Sequence, residues 1–507
     1  MLAQRLSVSL KSAFTKMFNG FGQRARRQQG FFSWTIGHVH QWLPLLLGLV
    51  MGILLALLIV SETWHIAIAV AFLVPMVILF NRYPYVVIVV WLLLAPFLQV
   101  TPAGPIRVSY WIIHRAMIPA ALILVIVADQ LKVNKAKSSI TLGRADWAIV
   151  ASMGILLVSV FVNYRSPLPL LYNVYDRFLV AFCAYWLIYF VAPREQGLKF
   201  LLPIAFVIVV TEFVIGLLSW YVPDALPYFW IKENGRTNGT FLGYSGYTIG
   251  LAFCSLLLFH AAANRKLGLV RTIFLVVFSL GIIGIFLSFS RGSWLAIVIV
   301  VLGLLLIYPK LTIRMAIVIS IAIAILGGGI MADELTYAQE RFYNEETALD
   351  RLVVYYTAWE MIKVKPFLGW GYETYDLYDA QFETRVANHV SNYNLTSHNT
   401  FLTILVERGF IGFLIYTFPV FWWLFLSFRV WSRMPKSGFW SRKLLIIFWL
   451  AIVFQVVVGN FTDTKRDTFV FTTWWIILGF IANMVTMYLR PGDIDAPAWA
   501  YRAVKKT

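Results

Sequence analysis

The chain has 507 residues, 60% of them hydrophobic and only 13% charged, with a formal net charge of +18 and a mean hydropathy of +0.76. No soluble domain of this length has such a balance, and because apolar runs of about 18 residues or more recur along nearly the whole sequence, the positive charge reads as a membrane signal and not a nucleic-acid one. The two cysteines, Cys183 and Cys254, fall inside apolar runs, so a disulfide framework is excluded and no Cys/His cluster has metal-ligand spacing.

Residues 1–40 hold no acidic residue, and the first acid is Glu62. Leu2, Leu6, Leu10, Phe14 and Phe18 recur at helical spacing among Arg5, Lys11 and Lys16. Two readings stay open here: an amphipathic helix on the inner leaflet, or a disordered basic tail. No short apolar core with a small-residue cleavage site follows, so a cleavable signal is not expected.

Beyond it the apolar runs are continuous, with no alternating polar face, which favours helices over a membrane barrel. Spans are expected over 41–60, 64–80, 83–100, 108–128, 146–163, 177–192, 199–221, 241–262, 272–289, 292–308, 315–331, 409–427, 443–459 and 469–489. The fold class is an all-α polytopic membrane protein, a bundle of about 14 transmembrane helices (range about 12–14) with one long external loop containing a helix. The expected organisation is a basic cytoplasmic segment 1–40, a transmembrane bundle 41–331, a long extracytoplasmic loop 332–397, C-terminal transmembrane helices 398–489 and a cytoplasmic tail 490–507. The tail 1–40 and the connections 129–145, 263–271, 309–314 and 428–442 are all basic, and an even number of spans puts them on one side. Lys and Arg enrichment marks that side as cytoplasmic and brings both termini there. The opposite side carries the corner near Ser290–Arg291, the stretch 222–240, the loop 332–397 and the stretch 460–468. Within the long loop, 348–364 reads as a helix stopped by Pro366 and the "GWG" turn at 369–371.

Arginines are few on the outer side: Arg236 in "NGRTNGTFLG", Arg291 in "LSFSRGSWLA" and Arg351 at the start of the loop helix, with Lys465 and Arg466 in "NFTDTKRDT". Singly, each is accounted for by a structural salt bridge. Together, converging on one cavity, they suit an anionic diphosphate, because a guanidinium pairs bidentately with phosphate oxygens and keeps its charge. Ser397 is a good N-cap, which makes His398 the first residue of a helix. Helix polarity and nearby arginines both disfavour its protonation, as a general base requires. A capping or interfacial histidine fits the same residues. Glu407 and Arg408 are expected at the interface, with Gly409 opening the crossing, and Glu407 is expected to pair with another helix. Arg115 and Glu212 lie at similar depth, so a buried pair between them is expected, as a structural clasp or as part of a ligand cavity.

The motifs "GRTNGTF" (235–241), "SRGSWLA" (290–296), "RLVVYYTAWEMIKVKPFLGWG" (351–371) and "HNTFLTILVERGFIG" (398–412), in that order, resemble the O-antigen ligase and O-antigen polymerase superfamily. The resemblance covers roughly residues 230–420. It implies a GT-C-like membrane glycosyltransferase that takes glycans from undecaprenyl diphosphate on the outer side of the bacterial cytoplasmic membrane, by inverting, metal-independent transfer with no cofactor. His398 is then the base on the acceptor hydroxyl, and Arg236, Arg291 and Arg351 hold the diphosphate. Asn399, Glu407, Arg115, Glu212, Lys465 and Arg466 are supporting candidates. The implied partners are the lipid-linked donor, a glycan or glycolipid acceptor, the lipid bilayer, and polysaccharide export or chain-length proteins, with no nucleic acid. The family usually has about twelve spans, two fewer than expected here. Polymerase and ligase differ in an acceptor pocket that the sequence leaves unmarked. Two rival classes are an anion transporter, for example of bicarbonate, and a non-catalytic component of an export complex.

Overall fold

A backbone surrounded by uninterrupted apolar residues satisfies its hydrogen bonds within helices, and the computed structural model of the chain follows that rule. The structure describes residues 83–99, 104–130, 140, 142–164, 167–231, 235–241, 243–328, 336, 339, 346–382, 397–490 and 493. The basic segment 1–40 and the first two expected spans, 41–60 and 64–80, lie outside the described residues.

Among the described residues, thirteen long helices follow in chain order: α1 (Val86–Gln99), α2 (Arg107–Gln130), α3 (Arg144–Asn163), α4 (Leu168–Val191), α5 (Glu195–Tyr221), α6 (Tyr244–Ala263), α7 (Leu269–Leu287), α8 (Arg291–Ile307), α9 (Pro309–Gly328), α10 (Glu346–Val364), α11 (Thr400–Val430), α12 (Arg442–Gly459) and α13 (Thr468–Thr486). All but α10 coincide with an expected span. Among the described residues, nine helices are long and apolar enough to cross a membrane, and α1 and α8 are shorter apolar helices.

Helices α6 and α13 form the centre and are buried along nearly their whole length, whereas α2, α3, α7 and α11 leave most of their apolar surface uncovered. Small residues make the centre possible. A Cβ on Gly479 of α13 would meet the Tyr185 carbonyl of α4 at 3.0 Å, so the two helices approach backbone to backbone where a glycine stands. Helix α13 packs against α4, α12 and α11, and α3 packs against α11.

The crossing was expected to open at Gly409 on an unbroken helix, but the backbone is interrupted there. Gly409 interrupts α11 with φ 63° and ψ −176°. That conformation separates the carbonyls of Val406 and Glu407 from the amides of Phe410 and Ile411, which a continuous helix would pair. The turn after α10 replaces all four partners. Trp370 N donates to Val406 O (3.0 Å) and Gly371 N to Glu407 O (2.8 Å), while Phe410 N donates to Pro366 O (2.8 Å) and Ile411 N to Phe367 O (3.2 Å). Non-helical backbone is tolerated at such a depth only when protein satisfies it. Gly369, at φ 69°, has its Cα against the Glu407–Gly409 backbone, and a Cβ there would lie 2.5 Å from Gly409 N.

The expected Arg115–Glu212 pair does not form. Arg115 makes a two-pronged pair with Asp176, at 2.5 Å on both prongs. Glu212 is buried and accepts from the Thr240 hydroxyl (2.5 Å) and amide (3.0 Å). The sixth span was expected to begin at 177, but the helix starts two turns earlier, at Leu168. Asp176 is thereby carried into the bundle on a π-helical turn, Tyr175–Leu179, opposite the π-helical turn Ile112–Met117 that holds Arg115.

Candidate active site

Helix α11 is capped two residues later than the sequence suggests. The cap is Asn399, whose side-chain oxygen accepts from Phe401 N and Leu402 N, both at 3.0 Å. Ser397 instead bonds the Thr403 hydroxyl and the Asn399 carbonyl. His398 is therefore outside the helix, with φ 45°. A residue with a Cβ is uncommon in the left-handed region, and such backbone clusters at functional sites.

A short connection between α12 and α13 gathers the rest. Asn460 Oδ1 accepts from Asn399 Nδ2 (3.3 Å), and its carbonyl accepts from the Tyr355 hydroxyl of α10 (2.8 Å). The Thr462 carbonyl accepts from the Thr400 hydroxyl (3.0 Å), and the Thr462 hydroxyl bonds the Tyr244 hydroxyl at the start of α6 (2.9 Å). Phe461 lies against Gly292, where a Cβ would meet the Phe461 Cβ at 2.8 Å, and beneath the Arg351 guanidinium, 5.2 Å from the ring centre. Arg236 lies over the Tyr244 ring at 4.4 Å. The ends of α6, α8, α10 and α11, and with them Arg236, Arg291, Arg351 and His398, are thus tied to residues 460–464.

Burial lowers the His398 pKa from the ordinary histidine value, Arg351 and Arg236 lower it further, and Asp350 acts in the opposite sense. Burial, opposed by Tyr244 and Tyr355 and aided by Arg236, lowers the Arg351 pKa. The Arg236 Nε is buried with no hydrogen-bond partner among the described residues. Two cations beside a neutral imidazole, one with an unused donor, make a site for an anion next to a proton acceptor. The shift has the expected sign, but its cause is burial and the arginines, since His398 lies beyond the helix.

The loop carrying Arg236 is fixed from below. Glu212 holds Thr240, and Trp220 Nε1 donates to the Thr237 hydroxyl at 2.8 Å. Glu407 pairs with Lys465 at 2.6 Å, both nearly wholly buried. Burial alone would push the Lys465 ammonium down, but Glu407, Asp463 and Glu373 outweigh it and the pKa is raised. Lys465 is thus committed to structure and is not a ligand for an anion. Arg115 pairs with Asp176 in another part of the bundle, and the Arg466 side chain lies outside the described residues. Sequence reasoning did not single out Asn460, Phe461, Thr462, Tyr244, Tyr355 or Asp350. The one available signal was the polar run "GNFTDTKRD" between two apolar spans.

Residues 273–417 match the family model described as O-antigen ligase, which bears out the resemblance carried by the motifs. The matched interval contains Arg291, Arg351, His398, Asn399 and Glu407, while Arg236 and Lys465 lie outside it. No curated protein sequence matches the chain.

Proposed function

We propose, from the premise that residues 273–417 form an O-antigen ligase region, that this chain transfers a glycan from an undecaprenyl-diphosphate carrier to an acceptor hydroxyl on the outer face of the bacterial cytoplasmic membrane. One observation carries the reading: Arg236 and Arg351 both act electrostatically on His398, and all three groups are anchored on one short connection. The diphosphate binds between Arg236 and Arg351, with Arg291 at the adjoining corner. Each charge-assisted hydrogen bond contributes about 1.5–3 kcal/mol, and these bonds strengthen as negative charge develops on the leaving oxygen. The neutral His398 imidazole accepts the acceptor hydroxyl's proton. The acceptor oxygen forms the new bond to the anomeric carbon from the face opposite the diphosphate. The carbon–oxygen bond to the diphosphate breaks, and undecaprenyl diphosphate leaves with the electron pair and inverts the anomeric centre.

The deciding experiment reconstitutes the purified protein with an undecaprenyl-diphosphate repeat unit and resolves the glycan on a gel. A ladder without a lipid A-core acceptor establishes a polymerase. Transfer only after that acceptor is added establishes a ligase. No transfer to either overturns the reading and leaves anion flux in liposomes as the next assay.

A further inference from the structure

Helix α10 has two apolar faces, and the protein covers one of them. Val354, Ala358, Met361 and Ile362 pack against Tyr375 and Val406. On the other side Leu352, Tyr356 and Trp359, spaced four and three residues apart, form a stripe left uncovered among the described residues, with Tyr356 51% and Trp359 52% exposed. The stripe continues past the helix into Phe367 and Leu368, the latter 76% exposed. Large contiguous apolar patches mark interaction surfaces.

Backbone connectivity identifies what covers this one. Phe367 is bonded through its carbonyl to Ile411 N, and Pro366 to Phe410 N, so the turn sits at the head of the apolar part of α11. The outward side chains there, Phe410, Ile411 and Leu414, are exposed on a segment apolar enough to cross a membrane. The uncovered stripe on α10 is therefore continuous, through Phe367 and Leu368, with a surface that faces acyl chains. Its composition is that of the boundary layer: tyrosine and tryptophan are enriched where apolar tails meet headgroups. Lys363 falls on the same stripe one turn after Trp359. It pairs with Glu360 at 2.5 Å, and its long stem lets the charge reach water while the carbons stay buried.

We propose that α10 is an interfacial helix, seated along the lipid headgroup–acyl boundary with Leu352, Tyr356, Trp359, Phe367 and Leu368 in contact with lipid. The geometry has a consequence that rests on the proposed function: Arg351, one residue before the stripe, is held at headgroup depth, where the diphosphate of a lipid carrier lies. The carrier reaches the arginines sideways from the bilayer and need not leave it.

The test uses the full-length protein in lipid nanodiscs. Spin labels are placed at Tyr356→Cys and Trp359→Cys, with Leu414→Cys as the lipid reference and Ala380→Cys as the exposed polar reference. Collision with oxygen, which concentrates in lipid, is compared with collision with a water-soluble nickel chelate. The expected result is an oxygen-to-nickel ratio at 356 and 359 several-fold above that at 380 and close to that at 414. A ratio matching 380 overturns the proposal, since the stripe is then in water. Low collision with both probes also overturns it, because a protein partner then covers the face. A second measurement needs no substitution: the unaltered protein, irradiated with a diazirine-bearing phospholipid, should carry adducts on the peptide spanning 352–368 as well as on 410–414. Adducts on 410–414 alone again overturn it. Neither readout measures glycan transfer, so this proposal and the proposed function fail separately.

Discussion

His398 reaches an unprotonated state through its surroundings: burial and two guanidinium groups each disfavour the charged ring. The sign of the pH dependence follows. With the pKa below the usual histidine value, the base form predominates at neutral pH and is lost as pH falls through the lowered pKa. Transfer measured as kcat/KM should fall on an acid limb whose midpoint lies below the ordinary histidine pKa. His398→Ala should cut the rate by about 10²–10⁴-fold while leaving donor binding in place. Arg351→Gln should do something different. It removes one of the cations that lower the imidazole pKa, so the acid limb should move to higher pH, and it should also raise KM for the lipid-linked donor. A variant that raised KM without moving the limb would show that Arg351 does not act on the base. The placement of His398 also shows where residue-level reading stops. Ser397 and Asn399 are both good caps by type; the one that caps, Asn399, is bonded through its amide to Asn460, 61 residues away in sequence, and Ser397 is taken up by Thr403.

At the scale of elements, hydropathy located the helices well because a membrane span is a long, strong signal, and the expected loop helix at 348–364 differs from Glu346–Val364 by only two residues. What hydropathy could not give was the start of α4, because Pro169, Asn173, Asp176 and Arg177 interrupt the apolar run there, and that two-turn error hid the Arg115–Asp176 pair. Nor could it reveal the backbone splice at Gly409, whose bonds run between main-chain atoms of segments some 40 residues apart and leave no side-chain pattern. The splice should be costly to disturb. Gly409→Ala puts a Cβ on a backbone of φ 63° and ψ −176° that is essentially restricted to glycine, about 1–3 kcal/mol, and adds a clash with the Phe367 carbonyl, so the thermal midpoint in detergent should drop clearly. Just before the break, Lys465→Met leaves the Glu407 carboxylate buried without its partner, a loss of about 3–5 kcal/mol. The double variant Lys465→Met with Glu407→Gln should recover much of that loss. If it does not, the pair contributes more through the connection it holds than through uncompensated charge.

Across the whole molecule, the two ends of the bundle differ in chemistry. At the end that gathers Arg236, Arg291, Arg351 and His398, Arg236 lies over the Tyr244 ring, Arg351 over the Phe461 ring, and Lys465 is paired with Glu407. The other end is built from basic connections around a buried histidine. His260 Nε2 bonds the Phe439 carbonyl at 2.8 Å, and Nδ1 bonds the Tyr308 hydroxyl at 3.0 Å. Lys443 lies over the Tyr308 ring and Lys199 over the Phe439 ring. Arg265, Lys266, Arg271, Lys310 and Arg442 crowd the same connections. By the positive-inside rule, this contrast is expected to place the end that carries Arg236, Arg351 and His398 outward. The orientation can be measured without any assay of transfer. Single cysteines at Lys266→Cys and Ala380→Cys, both exposed, are treated with a membrane-impermeant maleimide in intact spheroplasts and again after permeabilisation. The native Cys183 and Cys254 are buried and give the background. Position 380 should label in intact spheroplasts and position 266 only after permeabilisation. The reverse pattern would put the arginines in the cytoplasm, on the wrong side for a carrier whose glycan is presented outside, and would remove the proposed function whatever the chemistry of the site.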